Sequence, residues 1–322
     1  MKRLIKRFLP LIDIMVSPFI FLSAVLLCNV RKCIIQFSGR RMPLSRKIFL
    51  KVGMFPIIDH YYEPLFNTKY LKKSLREDRA LPGIDFNLEE QLDILSRFHF
   101  NDELIKFPLE KRKDTEFYYN NESFKSGDAE YLYNAVRLFQ SKKIVEIGSG
   151  ISTLMIINAI KQNKLDNSRY ECEHICIEPY GADWLDKTNV RIIRRKCEDV
   201  DKQIFTELEQ NDILFIDSSH IIRPQGDVLF EYLEVLPILK SGVLVHIHDI
   251  FTPKDYLDEW VGVMFWNEQY LLEAFLTFNN EFKIIGALNY LMHNHFNELS
   301  KKCPILRNER DREPGSFWIM KK

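Results

Sequence analysis

From residue 143 onward, short β-branched runs alternate with stretches whose apolar positions recur at helical spacing. The run Lys143–Ile147, with Ile144, Val145 and Ile147, suits a buried parallel strand; Leu154, Ile156, Ile157 and Ile160 mark one face of a helix over 152–162. The same reading predicts strands over 174–178, 190–193, 213–217, 243–248, 282–285 and 316–320. Helices are predicted over 200–208, 226–239, 267–278 and 287–299. Such alternation argues for an α/β fold with a doubly wound, seven-stranded, mostly parallel sheet. Upstream, Asn87-Leu-Glu-Glu90 is a capping-box signal for a helix through Phe98, and Asp128 is placed to cap a helix carrying Tyr131, Leu132, Ala135, Val136 and Phe139.

The N-terminus follows another pattern. Residues Leu9 to Val30 are mostly apolar, with Lys2, Arg3, Lys6 and Arg7 before them and Arg31, Lys32, Arg40 and Arg41 after. The run is long enough to cross a bilayer, but Asp13, Pro10 and Pro18 argue against a spanning helix, since an Asp at mid-membrane costs about 2.5–3.5 kcal/mol. No small-residue cleavage site stands out. The expectation is a segment lying in the interface, basic side chains on anionic headgroups, which makes the protein cytoplasmic and peripheral at the inner membrane surface. The alternative is an apolar helix docked on the domain or on another subunit. Three zones result: a membrane-associating N-terminal helical extension over 1–55, an aromatic, charged preface or cap over 56–127, and the alternating domain over 128–322.

The 322 residues are 46% hydrophobic, enough for one large domain with an appendage. Lys+Arg and Asp+Glu both number 45, so no global field recruits nucleic acid, and none is expected as a partner. Cys28, Cys33, Cys172, Cys176, Cys197 and Cys303 lack metal-site spacing and read as reduced thiols.

Candidate chemistry gathers at the ends of the predicted strands, where open parallel sheets bind ligands. Glu146-Ile-Gly148-Ser149-Gly150 closes the first strand with a tight turn, but Thr153 stands where a dinucleotide fingerprint needs its third glycine. A carboxylate at Glu146 would repel a diphosphate and attract a sulfonium. Glu178, ending the next strand, is placed to accept both hydroxyls of a ribose. The expected cofactor is therefore a cationic nucleoside, S-adenosylmethionine. Glu198 could face its adenine amino group or cap a helix. The fourth and fifth strands end at Asp217-Ser-Ser-His220 and His248-Asp249. Asp217 and Asp249, with His248 as a third donor, offer ligands for Mg²⁺, and His220 could act as general base near neutral pH. A metal-free arrangement, with an aspartate polarising His220, is also open. The aromatic segment Phe251 to Tyr270 would form an acceptor lid, while Tyr118-Tyr119-Asn120 and Ser126-Gly-Asp128 could close over the cofactor.

At these residues the chain resembles the class I S-adenosylmethionine-dependent methyltransferases. The resemblance covers about residues 117–322 and rests on Val145-Glu-Ile-Gly-Ser-Gly150, Cys176-Ile-Glu-Pro179, Phe215-Ile-Asp-Ser-Ser-His220 and His246-Ile-His-Asp-Ile-Phe251. It implies a Rossmann-like sheet with an added C-terminal strand. More narrowly, Asp217-x-x-His220 is similar to the metal-dependent macrolide-sugar O-methyltransferases and the cephalosporin-biosynthesis enzyme. There the aspartates matching Asp217 and Asp249 bind Mg²⁺ and the matching histidine is the base, but the residue before the second aspartate is Glu, where this chain has His248. The appendage resembles that of bacterial proteins linked to surface-polysaccharide synthesis. Together these imply an O-methyltransferase acting on a small-molecule, glycan or lipid-linked sugar acceptor, and a homo-oligomer. The rivals are an NAD(P)-dependent sugar oxidoreductase, opposed by Glu146 and Thr153, and a non-catalytic membrane-associated binding protein.

Overall fold

Seven strands form one sheet: β1 (Lys143–Ile147), β2 (Glu173–Ile177), β3 (Arg191–Ile193), β4 (Ile213–Ile216), β5 (Leu244–Ile247), β6 (Phe282–Ala287) and β7 (Phe317–Lys321). Their order is β3-β2-β1-β4-β5-β7-β6. Strands β1 to β5 pair in parallel, while β7 runs antiparallel to both β5 and β6. In the computed structural model, residues 2–36, 42–181 and 183–322 are described, with side chains from Phe8 onward. Arg40 and Arg41 lie outside the described residues, as do the side chains of Lys2, Arg3, Lys6 and Arg7.

The helices before and beside the sheet are α1 (Lys2–Gln36), α2 (Pro43–Val52), α3 (Leu88–Arg97), α4 (Asn101–Leu104), α5 (Asp128–Phe139) and α6 (Ile151–Asp166). The chain divides into two units, residues 1–72 with 261–265, and residues 73–260 with 266–322.

Strand pleating sorts the core of the second unit. Ile144 on β1 joins Met155, Ile156 and Ala159 of α6 and Leu132 and Val136 of α5 on one sheet face. Val145 and Ile147, pointing the opposite way, pack with Ile175, Leu214, Val235 and Leu272 on the other. The buried side chains of β4 and β5, and of β1 and β2 beyond their first residue, explain why these strands read as continuous apolar runs, while edge strand β3 is only half-buried.

Local departures have local causes. The helix expected over 226–239 begins as an α-helix at Asp227–Phe230, widens to a π-turn at Glu231–Val235 and tightens at Leu236–Ile238, where Pro237 has no N–H to continue the ladder. The helix expected over 287–299 is split at His295, whose N–H closes the first part on the Leu291 carbonyl (2.8 Å) and whose carbonyl accepts from Leu299 (3.1 Å) to open the second. Asn87 caps nothing with its side chain; its Nδ2 donates to the Ile284 carbonyl instead (3.0 Å), joining α3 to edge strand β6. Asp128 likewise accepts from Ser316 N–H (2.8 Å) and Arg312, leaving the Glu130 carboxylate to receive the Gly127 N–H at the start of α5 (3.0 Å).

Candidate active site

The turns leaving β1, β2 and β4 converge on a cavity of about 360 Å³ lined by Gly148, Glu178, Glu198, Asp217, Ser218 and Arg223, among others. Gly148 turns with φ +77°, and a Cβ there would stand 2.0 Å from the Asp217 carbonyl oxygen. Only glycine lets the two strand ends approach so closely. The Glu178 carboxylate accepts N–H groups from Ser149 (3.1 Å), Tyr180 (2.7 Å) and Gly181 (2.9 Å), tying together the turns after β1 and β2. A carboxylate has about four acceptor sites, so roughly one is left for a ribose hydroxyl rather than the two expected.

Glu146 corrects the charge argument made from the sequence. It is fully buried and absent from the cavity lining. Its Oε1 accepts from Ser152 Oγ (2.6 Å), and its Oε2 accepts from Thr153 Oγ1 (2.8 Å) while facing His174 Nε2 at 3.2 Å and Cys176 Sγ at 3.4 Å. Two-residue alternation turns it to the Ile144 side, under α6 and away from the ligand. Thr153 Oγ1 in turn accepts the Gly150 N–H (3.1 Å). Glu146, Ser149, Gly150 and Thr153 therefore shape the turn, whereas Gly148, Glu178, Glu198 and Asp217 border the cavity.

Beside the cavity, Asp217, His220 and Asp249 each offer a ligand atom within 4.8 Å of the others. His220 Nε2 lies 3.3 Å from Asp217 Oδ1 and 3.6 Å from Asp249 Oδ2, while its Nδ1 meets the buried Glu268 carboxylate at 2.7 Å. The His220 carbonyl accepts N–H groups from Asn267 (3.0 Å) and Glu268 (3.2 Å), so backbone and ring are held by the same first turn of the helix Glu268–Leu276. His220 and Asp249 both adopt left-handed backbone, φ 58° and 56°. Conformations of this kind cost a non-glycine residue about 1–3 kcal/mol and persist where the surroundings over-determine them.

Burial alone would lower the pKa of His220, but hydrogen bonds to Asp217 and Glu268 outweigh it and raise it well above the ordinary value. Burial likewise opposes Asp217, which His220 and His248 nevertheless hold below the usual range; for Asp249 burial wins and its pKa rises. Asp217 and Glu268 thus favour the protonated form of the imidazole. Two carboxylates facing one ring nitrogen require a positive centre, and a divalent cation fits that donor set as a proton does. His248 is not in this group. Its Nε2 lies 3.6 Å from Asp249 Oδ1, its Nδ1 is buried with no hydrogen-bond partner among the described residues, and its ring packs 5.1 Å from Phe124. Of the two histidines, His220 rather than His248 stands with Asp217 and Asp249.

Glu268 was not singled out from the sequence, because nothing local relates it to a histidine 48 positions earlier. The aromatic segment expected as a lid is held at several points. Trp266 packs 4.5 Å from the His220 ring and Trp260 4.9 Å from Trp266. Arg79 holds the Lys254 carbonyl (2.9 Å) and Arg76 the Tyr256 carbonyl (2.6 Å), strapping the loop from the preface. Tyr119, by contrast, is buried packing: it meets Phe117 at 5.1 Å and its hydroxyl donates to the Leu104 carbonyl.

Residues 145–250 match the family described as a methyltransferase domain. An uncharacterized protein of Archaeoglobus fulgidus is 32% identical over 195 residues, which make up 56% of this chain and 84% of the relative. An O-methyltransferase from Bacillus cereus, solved in complex with SAH, aligns over 79% of this chain and 94% of its own at 14% identity and a TM-score of 0.36.

Proposed function

We propose that this chain, a member of the class I S-adenosylmethionine-dependent methyltransferases and of one family with its archaeal relative, methylates a hydroxyl of a sugar or glycan precursor. The observation that carries the reading is the double position of Asp217, which borders the cavity and belongs to the group with His220 and Asp249. A donor in that cavity and a hydroxyl at that group would be neighbours, and methyl transfer from a sulfonium needs chiefly such alignment and removal of one proton. Glu178 and Glu198 would hold the nucleoside. A cation such as Mg²⁺, held by Asp217, Asp249 and His220, would lower the pKa of a bound hydroxyl. Without it, His220 would pass its Nε2 proton to Asp249 and take the hydroxyl proton in its place, with Glu268 keeping the ring in position.

The half-buried Trp266, backed by Trp260, offers a flat apolar wall beside hydroxyl-binding carboxylates, a combination suited to the C–H face and polar edge of a sugar ring. Residues 1–55 would keep the protein at the cytoplasmic membrane face, next to a lipid-linked acceptor and the cytoplasmic methyl donor, with 56–127 as cap and 128–322 as catalytic domain. Calorimetry with S-adenosylmethionine and NAD tests the cofactor: binding of NAD alone would overturn the reading. Labelled methyl transfer to nucleotide sugars and glycolipids, with and without a chelator, tests the acceptor. Label in a phenolic acceptor but in neither sugar class would overturn the sugar assignment.

A further inference from the structure

Helix α1 is continuous through both prolines, and its apolar stretch Phe8–Gln36 is 29 residues long with none of its most apolar window buried. At 1.5 Å per residue that stretch is about 43 Å long, more than the hydrocarbon core of about 30 Å requires. From Phe8 to Leu26 exposed apolar side chains point in every direction around it, and the intervening Pro10, Asp13, Ser17, Pro18, Ser23 and Ala24 form no broad polar face. An interfacial helix needs a broad polar face, and α1 has none.

The backbone supplies a second observation. Pro18 cannot donate to the carbonyl of Ile14, four residues earlier, and Ser17 Oγ donates to that same carbonyl at 3.0 Å. In water such a carbonyl would be solvated; in hydrocarbon it needs an internal donor. Beyond α1 the character of the unit changes. Helix α2 exposes Leu44, Ile48 and Val52 on one side, flanked by Lys47 and Lys51. Further on, Tyr61 and Tyr62 are 92% and 78% exposed, side chains of the kind that settle at headgroup level.

From these observations we infer that α1 crosses a lipid bilayer instead of lying on it, and that α2 with Tyr61 and Tyr62 rests in the interface where the chain emerges. The cytoplasm lies on the side of residues 31–51, because Arg31, Lys32, Arg40, Arg41, Arg46, Lys47 and Lys51 outnumber Lys2, Arg3, Lys6 and Arg7. Asp13 then sits toward the opposite headgroups rather than at mid-membrane. The inference deepens the membrane location proposed above and rests on it.

The test is the full chain with an epitope at each end in membrane vesicles of phosphatidylethanolamine and phosphatidylglycerol. The expected result is retention in the pellet after alkaline carbonate, with protease added to sealed vesicles of one orientation removing only one epitope. Ile20→Arg should lower partition into the pellet roughly a hundredfold, while S-adenosylmethionine binding stays intact and reports that the second unit is folded. Release by carbonate, or both epitopes on the same face, would overturn the span and leave a peripheral membrane location standing. Loss of the N-terminal epitope by cleavage would also overturn it. A chain recovered in the soluble fraction before carbonate would overturn both the span and the membrane location.

Discussion

Two groups of similar residue types lie on one sheet with opposite fates, one within β1 and β2 and one just beyond β4 and β5. Glu146, His174 and Cys176 are all buried, and the Glu146 carboxylate is occupied by hydroxyls of α6. Asp217 and Asp249 are only partly enclosed, and their charges are directed at the buried His220 ring beside a cavity. In the first group the carboxylate is satisfied by its own protein; the second is left with a concentration of negative charge that only a proton, a cation or a substrate completes. Residue type therefore says little about function until it is known which groups have exhausted their partners.

The largest expected effect comes from breaking the open group. His220→Gln, whose amide can still donate toward the buried Glu268 carboxylate, should lower kcat about 10²–10⁴-fold, the usual contribution of a positioned proton-transfer group, while thermal unfolding changes less than in His220→Ala, which leaves Glu268 without its partner. A kcat within tenfold of wild type would place the proton transfer elsewhere. Breaking the closed group should have the reverse signature. Glu146→Ala leaves the Ser152 and Thr153 hydroxyls without their acceptor and should cost about 2–4 kcal/mol of stability, with kcat nearly unchanged once cofactor saturates; urea denaturation and steady-state kinetics separate the two.

A third carboxylate sharpens the contrast further. Glu130 accepts backbone N–H groups from Gly127, Ile305 and Leu306, yet burial dominates and pushes its pKa up from 4.5 to about 7. Because the folded pKa is the higher, the unfolded chain releases its proton first as pH rises. Its contribution to stability is therefore fully present below pH 4.5 and lost as pH rises through 7. The loss should be at most about 2 kcal/mol between pH 5 and 7, and Glu130→Gln should remove it. An unchanged slope of unfolding free energy against pH in that variant would show that Glu130 is ionised in the folded state.

Much of this was legible along the chain. The five parallel strands announce themselves as β-branched runs, and six of the seven carboxylate and imidazole positions singled out lie at the ends of β1, β2, β4 and β5. What was not legible is direction and distant partnership. The pleat that turns Glu146 toward α6 reverses with a shift of one residue, and no local pattern gives the register. Glu268 reaches His220 only because Asn267 and Glu268 donate to the His220 carbonyl. Arg76 and Arg79 come from the preface to hold a loop some 175 residues later. The N-terminal helix shows the same division: Pro10, Pro18 and Asp13 argue against a span when read singly, and only the Ser17 to Ile14 hydrogen bond shows how the helix absorbs Pro18.

By itself the sequence determined the sheet, its glycine turn and the placing of acids and histidines at strand ends, because hydrophobic periodicity and the steric freedom of glycine are local properties. Tertiary structure decided which of those acids is consumed inside the protein and which is left facing a cavity, because hydrogen-bond satisfaction depends on groups brought together from distant parts of the chain.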